Sequence, residues 1–254
     1  MATLRIFVAG ATGVLGRRLC PMLLEEGWEV TGTTRPGHDD AVKHKVSWLR
    51  DAGVEPVVVD VFNKEELTNA MIKARPDIVI HQLTDLPDGL ETSKMPAALP
   101  RNARIREEGT ANLVTAAKAA GVKRLIAQSL AFAYAPGTLP HREDAPLNVS
   151  DSQFGTTARA VASLEHQVLG GGFEGVVLRY GKFYGPGTGF DSPAPDGPLH
   201  VDAAADAARR AVTQGSPGIY NIAEDDGNVS IAKARRELGW DPDYRWEPHS
   251  FNVP

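Results

Sequence analysis

The sequence contains almost none of the cysteine that stabilises small secreted proteins. Cys20 is the only cysteine among 254 residues, so no internal disulfide can form, and we expect its side chain to be a small buried apolar group. Long hydrophobic runs are also missing, because the apolar stretch LRIFVAG at residues 4–10 is too short for a signal peptide or a membrane span. These absences predict a cytoplasmic protein without membrane contact.

An excess of positive charge is absent as well. The 27 lysines and arginines are outnumbered by 32 aspartates and glutamates, and both signs are mixed along the chain. No basic face for nucleic acid is therefore expected. The 7 histidines lack the spacing of metal ligands, so no metal site is predicted either. The class of partner that remains is a small-molecule substrate.

Short apolar runs, rich in β-branched residues and bounded by turn signals, are typical of strands buried on both faces. They occupy residues 4–10, 28–34, 54–60, 77–83, 122–129, 175–181 and 218–224. Helical patterns follow them at 14–26, 40–52, 63–74, 100–120, 152–170, 202–214 and 230–238. The alternation predicts an α/β fold, a Rossmann-type doubly wound parallel sheet of about seven strands, with ligands at the carboxyl ends of the strands.

The first strand-to-helix turn reads GATGVLG, residues 10–16. Gly10 permits the tight turn, Gly13 lets the backbone approach a pyrophosphate, and Gly16 lets the helix pack close to the strand. The helix N-terminus offers free N–H groups to the phosphates. We therefore interpret residues 1–254 as a single NAD(P)-binding domain, with residues 183–199 and 225–254 as reduced C-terminal substrate-side elements. The Gly- and Pro-rich segment 183–199 is expected to be a loop.

The end of the second strand favours one dinucleotide. Arg35 occupies the place where an acid would hold the 2′-hydroxyl of NAD, and a guanidinium pairs with a 2′-phosphate. The sequence therefore predicts NADP, with NAD as the alternative if Asp39 or Asp40 reaches the ribose. Asp60 is placed to hold the adenine edge together with the Val61 backbone, or to cap the helix that follows.

Segments in a fixed order carry a family resemblance. They are GATGVLG, the DV pair at 60–61, DIVIHQL at 77–83, AGVKRLIAQS at 120–129, LRYGKFYGPG at 178–187, LHVDAAADAA at 199–208, IYNIAEDD and RRELGWDP. Together they resemble the extended short-chain dehydrogenase/reductases, the NAD-dependent epimerase/dehydratase group. The resemblance implies an adenine side formed by Gly10, Thr12, Gly13, Val14, Leu15, Gly16, Arg35, Asp60 and Val61. It implies a nicotinamide side formed by Leu83, Thr84, Ser129, Tyr180, Lys182 and Phe183.

The same resemblance implies catalysis by a Ser or Thr and a Tyr-x-x-x-Lys pair, whose tyrosine exchanges a proton with the substrate. Those places hold Leu130, Phe154 and Ala158 here, and none of the 5 tyrosines has a lysine four residues later. Only thirteen residues separate Pro186 from His200, which leaves little room for a nucleotide-sugar lobe. The chain therefore departs from its family in the catalytic half.

The remaining catalytic candidates are Ser129, Tyr134 and Lys182. Lys182 lies in the stretch YGKFY, whose Tyr180 and Tyr184 place a Tyr near a Lys, the pair that the missing motif would supply. The competing interpretation is that the tyrosine packs and the lysine faces water. Arg106 is either an exposed charge or an anion contact beside the cofactor cleft. His81, inside the fourth strand, is more simply a hydrogen-bonded core histidine.

The sequence is compatible with three functions. The first is an NADP-dependent oxidoreductase acting on a small carbonyl, enone or quinone, because hydride transfer needs only orientation and a dry pocket. The others are a non-redox isomerase, lyase or cyclase, and an inactive dinucleotide-sensing protein. The resemblance also implies a homodimer through the helices at 100–120 and 152–170, the second of which carries the apolar residues Val161, Leu164, Val168 and Leu169.

Overall fold

The structure, a computed structural model, describes residues 3–247, apart from the side chains of Asp39 and Asp88. Its main sheet consists of β1 (Arg5–Ala9), β2 (Glu29–Thr34), β3 (Glu55–Val58), β4 (Ile78–His81), β5 (Arg124–Leu130), β6 (Glu174–Tyr180) and β9 (Gly218–Ile222). A separate pair consists of β7 (Lys182–Tyr184) and β8 (Pro198–His200).

The main sheet has seven strands in the order β3-β2-β1-β4-β5-β6-β9, and every neighbouring pair is parallel. The predicted doubly wound α/β fold is therefore confirmed. The strand order reverses between β1 and β4, and in such sheets ligands bind beyond the carboxyl ends of the strands at that point.

The helices are α1 (Val14–Glu25), α2 (Asp39–Asp51), α3 (Lys64–Ala74), α4 (Met95–Arg104), α5 (Thr110–Ala119), α6 (Gly155–Leu169), α7 (Val201–Ala211) and α8 (Ala232–Leu238). A π-helical turn, Ile105–Gly109, joins α4 to α5. This helical run begins earlier than the predicted residue 100, because Pro96 lies in the first turn, where a missing N–H costs nothing. No helix within residues 3–247 has both the length and the apolar character needed to cross a membrane.

Alternate residues of each buried strand face opposite helical layers. Ile6 and Val8 pack in the core that contains α1, α7 and α8, whereas Phe7 and Ala9 pack in the core formed with α3, α5 and α6. Cys20 is buried in the first core as expected, and burial raises the pKa of its thiol to about 12. The sheet is thus covered on both faces, and only its edge is open to a ligand.

The apolar residues of α6 serve this core and not a surface. Val161 and Val168 are 0% exposed and Leu164 is 2% exposed, whereas only Leu169, at 41%, faces outward. The idea that this apolar set forms a dimer interface is therefore wrong for three of its four members. These three residues pack α6 against the sheet and are not available at the surface.

Segment 183–199 is also more ordered than predicted. Residues of β7 and β8 pair in parallel, with Lys182 opposite Pro198 and Tyr184 opposite His200. Turns with positive φ at Gly185, Gly187 and Gly189 connect them. The expectation of an irregular loop was wrong at both ends, because three-residue strands are too short for a periodic pattern to reveal.

Candidate active site

Two glycines of the first turn are required by the protein itself. Gly10 has φ +91°, and a Cβ there would lie 2.8 Å from the carbonyl oxygen of Gln82. A Cβ on Gly16 would lie 2.5 Å from the carbonyl oxygens of Gly10 and Ala11. Both positions therefore exclude a side chain, because β1, α1 and the loop after β4 approach so closely.

Gly13 differs from its two neighbours because it has room. It is exposed, its φ is −76°, and a Cβ there would meet only the Gly10 carbonyl oxygen, at 3.4 Å. No side chain caps α1 at this point, and its first turn holds no acid. The open backbone and uncapped helix N-terminus fit a dinucleotide pyrophosphate, which would occupy the space that a side chain would fill.

Threonines at the end of β2 hold this turn in place. The Gly10 N–H donates to Thr33 Oγ1 at 3.0 Å, and Thr12 Oγ1 donates to Thr34 Oγ1 at 3.3 Å. Val14 lies exposed at the start of α1 and Leu15 is buried beneath the turn. Thr33 and Thr34 were missed by sequence reasoning because they lie in a strand pattern, where threonine is common.

Arg35 follows β2 and belongs to a salt-bridge network with Asp85, which follows β4. β1 lies between these two strands. Arg35 Nη1 lies 2.9 Å from Asp85 Oδ1, while Arg101 Nε lies 2.8 Å from Asp85 Oδ2. Burial alone would raise the pKa of Asp85, but hydrogen bonds from the two guanidinium groups outweigh it and lower that pKa. The Arg35 side chain is still 68% exposed. It therefore remains accessible to a second anion.

The acidic alternatives to Arg35 receive no support. Asp40 pairs with Lys43 at 3.6 Å and its side chain is 93% exposed. The side chain of Asp39 lies outside the described residues. Asp60 Oδ1 accepts from the Phe62 N–H at 2.9 Å, but α3 is capped by Asn63, so the interpretation of Asp60 as a helix cap is wrong.

Val61 and the loop after β4 complete the predicted dinucleotide side. The Val61 carbonyl accepts from Asn112 Nδ2 at 3.0 Å, which fixes the backbone beside Asp60. Leu83 is half-buried and Thr84 is exposed beyond the end of β4. These residues line the same carboxyl edge of the sheet as the glycine turn, because Gly10 packs against the Gln82 carbonyl.

His81 is held in the core by both of its ring nitrogens. Nδ1 accepts from the Leu83 N–H at 3.2 Å, so Nε2 carries the proton toward Thr110 Oγ1, 2.9 Å away. Burial and the nearby charge of Arg106 lower the pKa of His81 to about 4. The histidine is therefore neutral and has no nitrogen left for a substrate.

Ser129 and Tyr134, two of the three catalytic candidates, belong to a buried network. Ser129 Oγ donates to Glu165 Oε1 at 2.6 Å, and Arg179 pairs with both oxygens of Glu165, at 2.8 and 2.6 Å. Arg179 Nη1 also donates to Tyr134 Oη at 2.8 Å, and that hydroxyl donates to Asn221 Oδ1 at 2.6 Å. These bonds give both hydroxyls a packing role between α6, β5, β6 and β9. Their role in catalysis stays a prediction.

Lys182 has a different environment from the other two candidates. Its side chain is half-buried, makes no hydrogen bond or ion pair within the described part of the chain, and places Nζ 6.0 Å from the ring centre of Phe132. Nearby, Tyr180 packs on Phe183 with ring centres 5.5 Å apart, and burial raises the pKa of its hydroxyl well above the ordinary value. The Tyr180 hydroxyl therefore stays protonated, and its side chain, which is 0% exposed, is part of the packed core.

The positions at which the family resemblance implies an acid and its lysine hold apolar residues, Phe154 and Ala158. Phe154 packs against Phe132, with ring centres 6.2 Å apart, and against a small core that contains Leu130. Ala158 is 0% exposed. A cavity of about 170 Å³ lies beside this cluster, between the loop after β5 and the end of β9; it is lined by Ala131, Phe132, Tyr134, Leu139, His141, Asp196, Gly197, Asn228 and Val229.

Comparison with known proteins agrees with this geometry. Residues 6–196 match the model of the NAD dependent epimerase/dehydratase family. The chain belongs to this family. Among its curated relatives is a Streptomyces enzyme named 3-diazoavenalumate denitrifying reductase, which is 40% identical over 245 residues, covering 88% of this chain and 77% of the relative.

Solved structures of epimerase/dehydratase type share the fold. UDP-glucose 4-epimerase of Thermotoga maritima, solved with UDP-glucose, has a TM-score of 0.72 at 19% identity, covering 94% of each chain. WbmG of Bordetella bronchiseptica, solved with NAD, has a TM-score of 0.73 at 19% identity, covering 97% of this chain and 91% of that one.

Within this epimerase/dehydratase member, sequence reasoning missed the centre of the buried network. Glu165 lies on a helix and Arg179 on a strand, and only the packing of α6 on β6 brings them together. One signal was visible, because an arginine stands in the middle of the apolar run GVVLRYG, and a charge there requires a buried partner.

Proposed function

We propose that this member of the epimerase/dehydratase family is an NADP(H)-dependent reductase whose substrate takes up a hydride without a proton from the protein. The observation that carries the proposal is the contrast between an intact dinucleotide turn and an acid site filled by Phe154 and a closed Ala158. Reduction of an ordinary ketone produces an alkoxide that needs an acid, so a substrate of another class is favoured.

A diazonium group on a carboxylic acid is the class that fits best. Replacing it with hydrogen converts R–N₂⁺ and one hydride into R–H and N₂. The C–N bonding pair leaves with N₂, the hydride pair forms the C–H bond, and no proton is transferred. By its name, the Streptomyces relative reduces a diazo carboxylate with loss of nitrogen, and its identity to this chain supports the same class here.

Different residues of the chain would bind the cofactor and exclude water from the substrate. The turn at residues 10–16 and the N-terminus of α1 hold the pyrophosphate, and Arg35 holds the 2′-phosphate by sharing its guanidinium with Asp85. When bound, a reduced nicotinamide supplies the hydride. Phe132, Phe154 and Leu130 provide an apolar wall that keeps water from the reactive substrate.

The environment of Lys182 favours a second candidate function, the reduction of a small carbonyl, enone or quinone. The Lys182 ammonium makes no hydrogen bond or ion pair within residues 3–247 and lies beside the same aromatic wall. A cation there would stabilise the oxyanion of an enone or quinone product, so Lys182 is the one catalytic candidate with a free donor. A diazonium substrate needs no such group.

The test is to follow NADPH loss, N₂ release and the origin of the new hydrogen with 4-carboxybenzenediazonium and with a panel of enones and quinones. We expect one N₂ per NADPH, deuterium transfer from deuterated NADPH, and none from D₂O. Spontaneous reduction is subtracted with the Gly13→Val variant. Solvent deuterium in the product would overturn the proposal. Product formation without NADPH loss would support an isomerase, lyase or cyclase, and cofactor binding without any turnover would support a sensor.

A further inference from the structure

The helical run from α4 to α5 carries a buried positive charge. Arg106 is 6% exposed and lies in the π-helical turn Ile105–Gly109. It makes no hydrogen bond and no ion pair with any residue in the part of the chain that the structure describes. Largely burying an unpaired cation is costly, and an anion from outside the chain would offset that cost.

Its neighbours on the helix define where Arg106 lies. Asn102, Arg106 and Thr110 follow one another at four-residue spacing, so they lie on similar sides of the helical run. Asn102 and Thr110, on either side of Arg106, both contact the segment 81–85. Asn102 Oδ1 accepts from the Asp85 N–H at 3.0 Å, and Thr110 Oγ1 lies 2.9 Å from His81 Nε2. The Arg106 position therefore faces residues 81–85, at the sheet edge where the nicotinamide side was predicted.

Two carboxylates near this helix, Asp85 and Glu108, are already committed to other cations, and the third, Glu107, is exposed to solvent. Asp85 is held by Arg35 and Arg101, and Glu108 pairs with Arg104 at 2.6 Å. Burial lowers the pKa of Arg106 to about 10, in agreement with the lack of a compensating carboxylate. Within the described chain, none of the unpaired side-chain nitrogens of Arg106 is completely buried, so they retain contact with solvent.

We propose that Arg106 binds the carboxylate of the substrate and thereby orients the diazo-bearing end toward the nicotinamide. The identity of the anion rests on the proposed function, because that class of substrate carries a carboxylate. The cofactor's phosphates are provided for elsewhere, by the N-terminus of α1 and by Arg35. A guanidinium is also suited to a carboxylate, since it offers two parallel N–H donors.

Binding of carboxylate probes tests this assignment without turnover. Calorimetry would compare cinnamate with cinnamamide on the NADP⁺-loaded native protein, on Arg106→Met and on Arg106→Lys. We expect the native protein to prefer cinnamate, and Arg106→Met to lose that preference by roughly 10- to 100-fold, as for a hydrogen bond to a charged group. Arg106→Lys should keep part of it. Arg104→Met is the matched control, because Arg104 lies on the same helix but is exposed.

Each other outcome has a defined meaning. If Arg106→Met weakens NADP⁺ and leaves cinnamate binding unchanged, the anion is a cofactor phosphate and the proposal is wrong. Equal native affinity for cinnamate and cinnamamide also overturns it. Circular dichroism and thermal melting of each variant establish that it is folded, and Arg106→Lys replaces Arg106→Met if the latter is not. Arg106-dependent cinnamate binding without diazonium turnover would refute the proposed reaction and leave the carboxylate site intact.

Discussion

The two halves of the sheet's carboxyl edge have different relations to their family. The half beyond β1 and β2 keeps the glycine turn, an uncapped helix N-terminus and an exposed cation at Arg35. In the half beyond β5 and β6, the positions at which the family resemblance implies catalytic groups hold Phe154, Leu130 and a buried Ala158. The difference teaches that holding a dinucleotide and moving a proton are separable tasks, because different strands supply their residues.

The largest effect is expected in the first half, from Gly13→Val. A branched side chain would fill the space of the pyrophosphate, while the turn itself leaves room for it. NADPH at about 100 times its Kd should stabilise the native protein by about 2.7 kcal/mol and the variant not at all. Thermal melting with and without NADPH measures both. Gly16→Ala is the contrasting control, since it should lower the melting temperature without any ligand.

A smaller effect in the same half is expected from Arg35→Asp. A negative charge would repel the 2′-phosphate, so NADP⁺ affinity should fall by roughly 10- to 100-fold and the preference for NADP⁺ over NAD⁺ should disappear or reverse. Calorimetry with both dinucleotides is the measurement, and Arg50→Asp on α2 is the control for charge reversal. Equal native affinity for the two dinucleotides would contradict our assignment of Arg35.

In the second half, Ser129→Ala and Tyr134→Phe should change stability and leave turnover intact. Tyr134→Phe leaves the buried Asn221 Oδ1 without its donor, and Ser129→Ala removes one of the two hydrogen bonds that the charged Glu165 Oε1 accepts. Either loss costs about 1–3 kcal/mol. Urea unfolding and kcat with the diazonium probe separate the two effects. Thr68→Ala is the control, because the Thr68 hydroxyl makes an exposed hydrogen bond to the Lys64 carbonyl. A large fall in kcat at unchanged stability would restore an acid role to the affected residue.

The smallest effect is expected from Phe154→Tyr. Because no proton transfer accompanies diazonium reduction, kcat should change by less than about twofold and should not depend on the titration of a tyrosine. Adding Ala158→Lys tests the alternative of a lost acid, in which ketone reduction should appear with a gain of about 10²–10⁴. Since Ala158 is 0% exposed, stability of the double variant must be measured beside its activity. A rise in diazonium turnover would show that an acid is useful there.

The sequence predicted the sheet because each parallel strand is buried on both faces and appears as a continuous apolar run. β1, predicted at residues 4–10, spans Arg5–Ala9, and β6, predicted at 175–181, spans Glu174–Tyr180. The glycine turn was equally visible, since its residues are adjacent in the chain. The β7–β8 pair and the π-helical turn were not, because short elements and a single extra residue in a helix leave no periodic signal.

Side-chain partners were predicted less well, for a physical reason. Glu165 and Arg179 meet only because α6 packs on β6, and Arg35 meets Asp85 only because their strands flank β1. Such pairs depend on tertiary packing, so no spacing in the sequence encodes them. Arg106 was recognised as a choice between an exposed charge and an anion contact, and its 6% exposure rules out the exposed charge.

The apolar residue at position 154 has a consequence for the direction of catalysis. By microscopic reversibility, the group that protonates an oxygen in a reduction is the group that removes the proton in the corresponding oxidation. Phe154 can do neither, so under the proposed function this position offers no base with which an alcohol would be oxidised. Under the proposed function, the phenyl ring at position 154 therefore disfavours the oxidation of alcohols and favours reduction.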